Sequence, residues 1–297
     1  MIQSTRQTKS VSRTAASRAR RRRGRHLRTA VIYATLVLGS LGIIVPVLWT
    51  ASVAIKSRAQ LAQYPPRLLN FPMHWENFIT AWKAAPFTHY FFNSVEVAFL
   101  AVLGTTVSSF IVAYGFARFR GYGRNVLFIM LLATMMVPPQ VTMIPTFMLM
   151  RFLHWINTFY PLWVPGCFAT SGFNVFLLRQ FLTGIPRELE EAATMEGASP
   201  LHILGRIILP LSMPGLAAVA ILSFVWNWTN FMGPLIYLNS QSKWTLPLGL
   251  MNFQQQFTPL PNKMMAVSLL ITLPIVIVFF VGQRYFMKGI HLGRSLQ

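Results

Sequence analysis

Six stretches of this chain run for about 20 residues or more without a charged side chain: Thr29–Ile55, Val97–Ala117, Asn125–Met150, Phe152–Leu178, Ile207–Ser242 and Met264–Gln283. A helix needs about 20 residues to cross ~30 Å of hydrocarbon, and lipid offers no hydrogen bonds to backbone left outside a helix or closed barrel. The pattern therefore predicts an all-α integral membrane protein with six transmembrane helices, the fifth run including an outer loop after about Ile236. Composition agrees, with 11% charged residues where a soluble domain carries about 25%. No room is left for a soluble domain.

Basic residues set the orientation. With the N-terminus in the cytoplasm, ten Lys and Arg of the tail, three around Arg118–Arg124, three between Arg179 and Arg206 and three after Gln283 lie inside, leaving seven of 26 outside. That is the bias expected of cytoplasmic loops, and it places both termini in the cytoplasm. The chain then divides into a basic tail (1–28), a first span (29–55), an external loop (56–93), a five-helix core (94–286) containing a polar loop (186–210), and a cytoplasmic C-terminus (287–297).

The tail from Arg18 to Arg28 dominates the formal charge of +20. Because a membrane helix follows at once, the run reads as a topology signal that attracts anionic lipid, at about 1 kcal/mol per basic residue, rather than as a nucleic-acid site. It is also no cleaved signal peptide. The following 27-residue apolar run far exceeds an h-region of ~7–15 residues, despite the cleavage-like Ser52-Val53-Ala54.

Four of the six carboxylates, Glu188, Glu190, Glu191 and Glu196, crowd into the polar loop between the fourth and fifth runs. Arg187 to Glu196 reads as a short helix rich in Glu and Ala, stopped by Gly197, which most easily adopts the left-handed closing conformation. A second helix is expected to begin with Ser199 as N-cap and Pro200 at its first position. Such a helix-turn-helix, small-sided at Ala192 and Ala193 and acidic at its rim, suits a groove in another protein, although a plain solvated connector would share its polarity.

The loop's order, Glu191-Ala192-Ala193, three residues, Gly197, nine residues, then Ile207-x-Leu209-Pro210, resembles the cytoplasmic EAA loop of type I ABC-importer permeases. The outer segment from Ala54-Ile55-Lys56-Ser57 through Pro65-Pro66, Glu76-Asn77-Phe78, Ala81-Trp82 and Phe92-Asn93-Ser94 is similar to the carbohydrate branch of that family, and to the second permease of maltose-type systems. The resemblance covers the chain from about Ala54 to Gly289. It implies the type I permease fold, a bacterial inner-membrane location and no enzymatic activity in this chain. It also implies a second permease subunit, two cytoplasmic P-loop ATPases and an extracytoplasmic substrate-binding protein. Glu188, Glu191, Ala192, Ala193, Glu196, Gly197, Leu201 and Pro210 would then engage the ATPase. The chain lacks a Walker A sequence, so ATP is expected on a partner and no cofactor in this chain.

In the external loop, Pro65-Pro66 and Pro72 favour extended chain, and Trp75, Ile79 and Trp82 share one face of a possible short helix. That face suits either a docked binding protein or the lipid headgroups. Within the spans, Val137-Pro138-Pro139-Gln140 and Ile144-Pro145 interrupt the third helix, which suits a water-filled path or helix packing. The fifth carries Trp226-Asn227-Trp228-Thr229-Asn230-Phe231, with Asn227, Asn230 and Phe231 at i, i+3 and i+4. Amides exchange hydrogen bonds with hydroxyls and aromatic faces cover sugar rings, so Gln140, Asn227, Trp228, Asn230 and Phe231 are the substrate-path candidates. Interhelical amide bonding is the competing reading.

Glu96 falls near the outer end of the second run, where a hydrated interfacial residue is expected. Cys167 is the only cysteine, and the six histidines show no metal-ligand spacing. Two other function classes remain for comparison. An ion-coupled secondary transporter would place acids within its helices, whereas this chain has no Asp and gathers its Glu in a loop. A membrane enzyme would need a nucleophile or metal constellation. Within the importer class, a sugar or oligosaccharide is the expected cargo, with glycerol phosphate, polyamine or peptide as alternatives.

Overall fold

The computed structural model describes residues 4–254 and 260–292, with side chains from 28 to 254 and 260 to 283. The side chains of the arginine run before Arg28 and the last residues of the C-terminus lie outside that description. Among the described residues every regular element is helical. Among those residues four helices are long and apolar enough to cross a membrane, and up to six spans result when each of two bent pairs counts as one.

The first span belongs to the helix Ser4–Ala54, which runs unbroken from the basic tail. Its flanks from Val31 to Trp49 are exposed along their length, so it rests against the rest of the chain chiefly at its outer end, on the last helix, Pro261–Leu292. There its C-terminal carbonyls, which no helical amide can reach, are satisfied from elsewhere: Asn77 Nδ2 donates to Ala54 O (2.9 Å) and Lys56 O (3.0 Å), and Asn262 Nδ2 donates to Lys56 O (3.1 Å). Asn77 lies on the short helix Glu76–Lys83, whose opposite side leaves Trp75 and Ile79 exposed. Beside it His74 Nδ1 lies 2.6 Å from Glu76 Oε1, and this hydrogen bond holds the Glu76 carboxyl below its ordinary pKa.

The second span, Phe87–Arg118, begins well before the uncharged run that revealed it, because its outer turns carry polar residues and an exposed Glu96. The third breaks into Arg124–Thr134 and Pro139–Phe152, bent by 99°. Pro138 and Pro139 have no N–H to continue the ladder, and each disfavours helical backbone in the residue before it. The fourth, Tyr160–Thr183, contains a helical turn, a 3-10 segment at Val164–Phe168 and the helix Gly172–Thr183, which Ser171 caps by accepting from Asn174 N. In the fifth, Pro200–Leu211 meets Met213–Trp228 at 73°. The run read as spanning beyond Trp228 is instead a separate short helix, Met232–Tyr237, followed by irregular chain.

Two cores hold these elements. One, at the loop end, gathers Phe110, Tyr114, Leu178, Leu182, Ile208 and Leu216. The other, at the opposite end, gathers Phe87, Tyr90, Trp228, Leu246, Phe253 and Ile271. Packing against the sixth span is close: a Cβ on Gly282 would run into the end of the Ile221 side chain, which would have to turn aside.

Candidate functional site

The polar loop closes as its residues predict. Its first helix, Glu188–Met195, carries Glu188, Glu190 and Glu191 in the opening turn, where unpaired amides favour negative charge. At the other end Gly197 takes φ +83°, Ala198 N donates to Ala193 O (3.0 Å) and Gly197 N donates to Thr194 O (3.0 Å), the paired bonds of a Schellman closure. Ser199 Oγ then accepts from His202 N (3.3 Å) with Pro200 at the first helical position. The second helix widens into a π segment at Ile203–Ile208. The wider turn accommodates Pro210, whose ring would otherwise press on the carbonyl four residues back.

The first loop helix has two distinct faces. Glu188, Glu191, Ala192 and Met195 are exposed, and beyond the turn so are Glu196, Gly197, Leu201 and Pro210. Met195 and Leu201 expose 88% and 81% of their surface, two apolar side chains on a loop rich in Glu. Ala193 departs from the expectation. It is buried in the loop-end core with Ala117, Leu182 and Ile203, so it seats the helix on the bundle and offers a partner nothing. Glu190, one turn earlier on the same inner face, is the residue that sequence reasoning left without a role. Its Oε1 lies 2.5 Å from Nε of Arg118, the last residue of the second span. Helical spacing from Ala193 places Glu190 on the inner face, but nothing in the sequence names its partner.

A cavity of about 720 Å³ opens between the two cores. The second span contributes Ala101 and Thr105, the fourth Trp163, Thr170, Ser171 and Asn174, the fifth Ser223, Trp226, Asn227 and Thr229, and the sixth Phe279. Asn174 Nδ2 donates to Ser223 Oγ (3.3 Å) and Asn227 Nδ2 to Ser223 O (2.8 Å). Among the described residues Oδ1 of Asn227 accepts no hydrogen bond, and no charged side chain lines the cavity.

The other path candidates fall elsewhere. Trp228, 2% exposed, is packed between Phe91 and Phe224 and donates Nε1–H to Ile271 O (2.9 Å), so it belongs to the core. The helix ends at Trp228, and the expected face of Asn227, Asn230 and Phe231 is therefore broken. Asn230 Oδ1 accepts from Gly233 N (3.0 Å), a local bond that competes with helix, and Pro234 could not have donated to Asn230 O had the helix continued. Phe231 precedes the next short helix, and Gln140 is exposed in the first turn of Pro139–Phe152; neither lines the cavity. Trp226, which the sequence did not distinguish from Trp228, is 73% exposed and lines the cavity instead. Among the described residues no group of His, Cys, Asp or Glu is arranged to hold a metal ion.

Residues 106–291 match the family model described as "Binding-protein-dependent transport system inner membrane component". The chain is 35% identical to the arabinooligosaccharides transport system permease protein of Bacillus subtilis, over 69% of this chain and 72% of that one. It is 31% identical to the sn-glycerol-3-phosphate transport system permease protein of Yersinia enterocolitica, over 86% of this chain and 93% of that one. Among solved structures, a chain of a bacterial ABC transporter involved in the import of the acidic polysaccharide alginate matches with a TM-score of 0.77 and 24% identity, covering 88% of this chain and 97% of that one.

Proposed function

We propose, from the premise that this chain belongs to the family of binding-protein-dependent transport system inner membrane components, that it forms half of the translocation path of an ABC importer for a neutral oligosaccharide. The observation that carries the reading is the division of labour within one bundle. A turn closed by Gly197 presents an apolar, Glu-rich face at one end, and an uncharged cavity walled mainly by aliphatic and aromatic side chains, with a few hydroxyls and amides among them, lies within the spans. A cavity of this size and lining suits a sugar, whereas a phosphate calls for Arg or Lys in bidentate or point-charge contact. The named glycerol-phosphate relative keeps that solute as the second reading.

In this account Glu188, Glu191, Ala192, Glu196, Gly197, Leu201 and Pro210 form the surface on which a cytoplasmic ATPase sits, and a second permease subunit completes the path. Two ATPase subunits bind the ATP that this chain cannot, and an extracytoplasmic binding protein delivers the solute to the face bearing Trp75 and Ile79. Both termini lie in the cytoplasm in this reading, which the distribution of basic residues supports. Closure of the ATPases moves the loop helices as rigid bodies, and the bundle alternates between inward and outward access.

The test is uptake into proteoliposomes holding the complete complex, with arabino-oligosaccharides and glycerol 3-phosphate offered separately. Preferential ATP-dependent uptake of the oligosaccharides supports the reading, and preferential uptake of glycerol 3-phosphate replaces it with the second. Asn227→Leu is expected to reduce uptake several-fold with assembly intact, since one hydrogen bond contributes about 0.5–1.5 kcal/mol net. A parallel loss of complex yield would return Asn227 to helix packing.

The tail makes a separate prediction. Replacing Arg20 to Arg23 by Ser lowers the fraction of chains inserted with a cytoplasmic N-terminus and leaves solute preference unchanged. Labelling of an N-terminal cysteine from either side of the membrane measures it, and an altered solute preference contradicts it.

A further inference from the structure

We infer that the second span carries the movement of the loop into the bundle, and that Arg118, Glu190 and Tyr114 are the positioning residues that fasten it to the first loop helix. The inference rests on the reading of the chain as an ATP-driven permease and adds the route by which the drive arrives.

The fastening runs in both directions. From the span, Arg118 Nε lies 2.5 Å from Glu190 Oε1, Arg118 Nη2 donates to Ile185 O (2.9 Å), and the Tyr114 hydroxyl donates to Glu190 Oε2 (3.4 Å). From the loop, Arg187 Nη2 donates to Ala117 O (3.2 Å) in the last turn of the span. The Arg118 and Glu190 side chains are only 6% and 17% exposed, so parting them strands two sheltered charges. A contact of that kind stays closed while the elements it joins move together.

The span itself is suited to transmit force. It is a 32-residue helix, about 48 Å long at ~1.5 Å per residue. It contains no proline, whereas the other five spans carry Pro46, Pro138 with Pro139, Pro161 with Pro165, Pro214 and Pro274. Along its length it touches each working part. Ala101 and Thr105 line the cavity, and at the far end Asn93 Nδ2 donates to Ser242 O and Trp244 O while Ser94 Oγ accepts from Leu246 N. The fifth span, though covalently continuous with the loop, is joined to it through a π segment and a 73° bend at Ser212. A joint of that kind absorbs rotation where the ion pair would pass it on.

The test follows N-ethylmaleimide labelling of Thr105→Cys, in a Cys167→Ser background, within the assembled complex with and without ATP and orthovanadate. Parental complexes are expected to change labelling rate on trapping. Glu190→Gln, and the double variant Arg118→Gln with Glu190→Gln that strands no charge, are expected to assemble and hydrolyse ATP while that change shrinks at least roughly fivefold. Exchanging the charges, Arg118→Glu with Glu190→Arg, is expected to restore part of it. An undiminished change in the double variant overturns the inference. So does failure of both Glu190→Gln and the double variant to assemble, which would make the contacts a folding device. Parental complexes that show no ATP-dependent change would instead overturn the ATP-driven reading beneath it.

Discussion

Gly197→Val reduces transport by about tenfold or more while leaving the chain inserted and folded. At φ +83° a β-branched residue is held in the left-handed region, which costs an ordinary L-residue about 1–2 kcal/mol and a β-branched one more. Within this chain the strain is conformational, because a Cβ at Gly197 meets none of its other atoms. Relief comes from opening the turn, which separates the Ala198–Ala193 and Gly197–Thr194 bonds and reorients Leu201 against Met195. A cost of about 1.4 kcal/mol lowers the ratio of native to opened turn about tenfold. Gly197→Asn is the control, since Asn tolerates the left-handed region, and it should retain most activity. Uptake rate and co-purification of the ATPase measure both. Parental uptake by the valine variant would remove the loop's rigid geometry from the mechanism.

Trp228→Ala destabilises the protein by about 3 kcal/mol, near the low end for truncating a buried tryptophan because the bilayer weakens the transfer contribution. It empties the space between Phe91 and Phe224 and leaves Ile271 O without its indole donor. Trp226→Ala, two residues away and exposed, leaves stability within about 0.5 kcal/mol and lowers oligosaccharide uptake instead. Thermal unfolding in detergent alongside uptake separates the two. If both variants lose stability equally, Trp226 belongs to the packing and the cavity loses one of its aromatic residues.

This pair marks where sequence reasoning stops. Residues two apart on a helix point to widely separated faces, and both tryptophans satisfy the same composition. Only the packing of Phe91, Phe224 and Ile271 decides which one turns inward. The spans were legible because charge is excluded from hydrocarbon, and the loop because Gly197, Ser199 and Pro200 each have a backbone preference that is local. Pro138 and Pro139 announced a break but not its 99° angle, which depends on what the two halves pack against. The Arg118–Glu190 pair joins residues far apart in sequence, and each alone reads as an ordinary surface charge, one at the end of a span and the other in a polar loop. Asn230 was misplaced because a short polar side chain can cap a helix as readily as it can line one.

A chain that moves its solute with energy delivered through the loop by a separate ATPase has a direct signature in transport. Uptake of arabino-oligosaccharides into proteoliposomes containing the complete complex, with ATP inside or outside as topology requires and a protonophore present or absent, tests it directly. The expected result is uptake that depends on ATP, persists with the protonophore and falls about tenfold or more in Gly197→Val. Uptake that continues without ATP and collapses with the protonophore would contradict it.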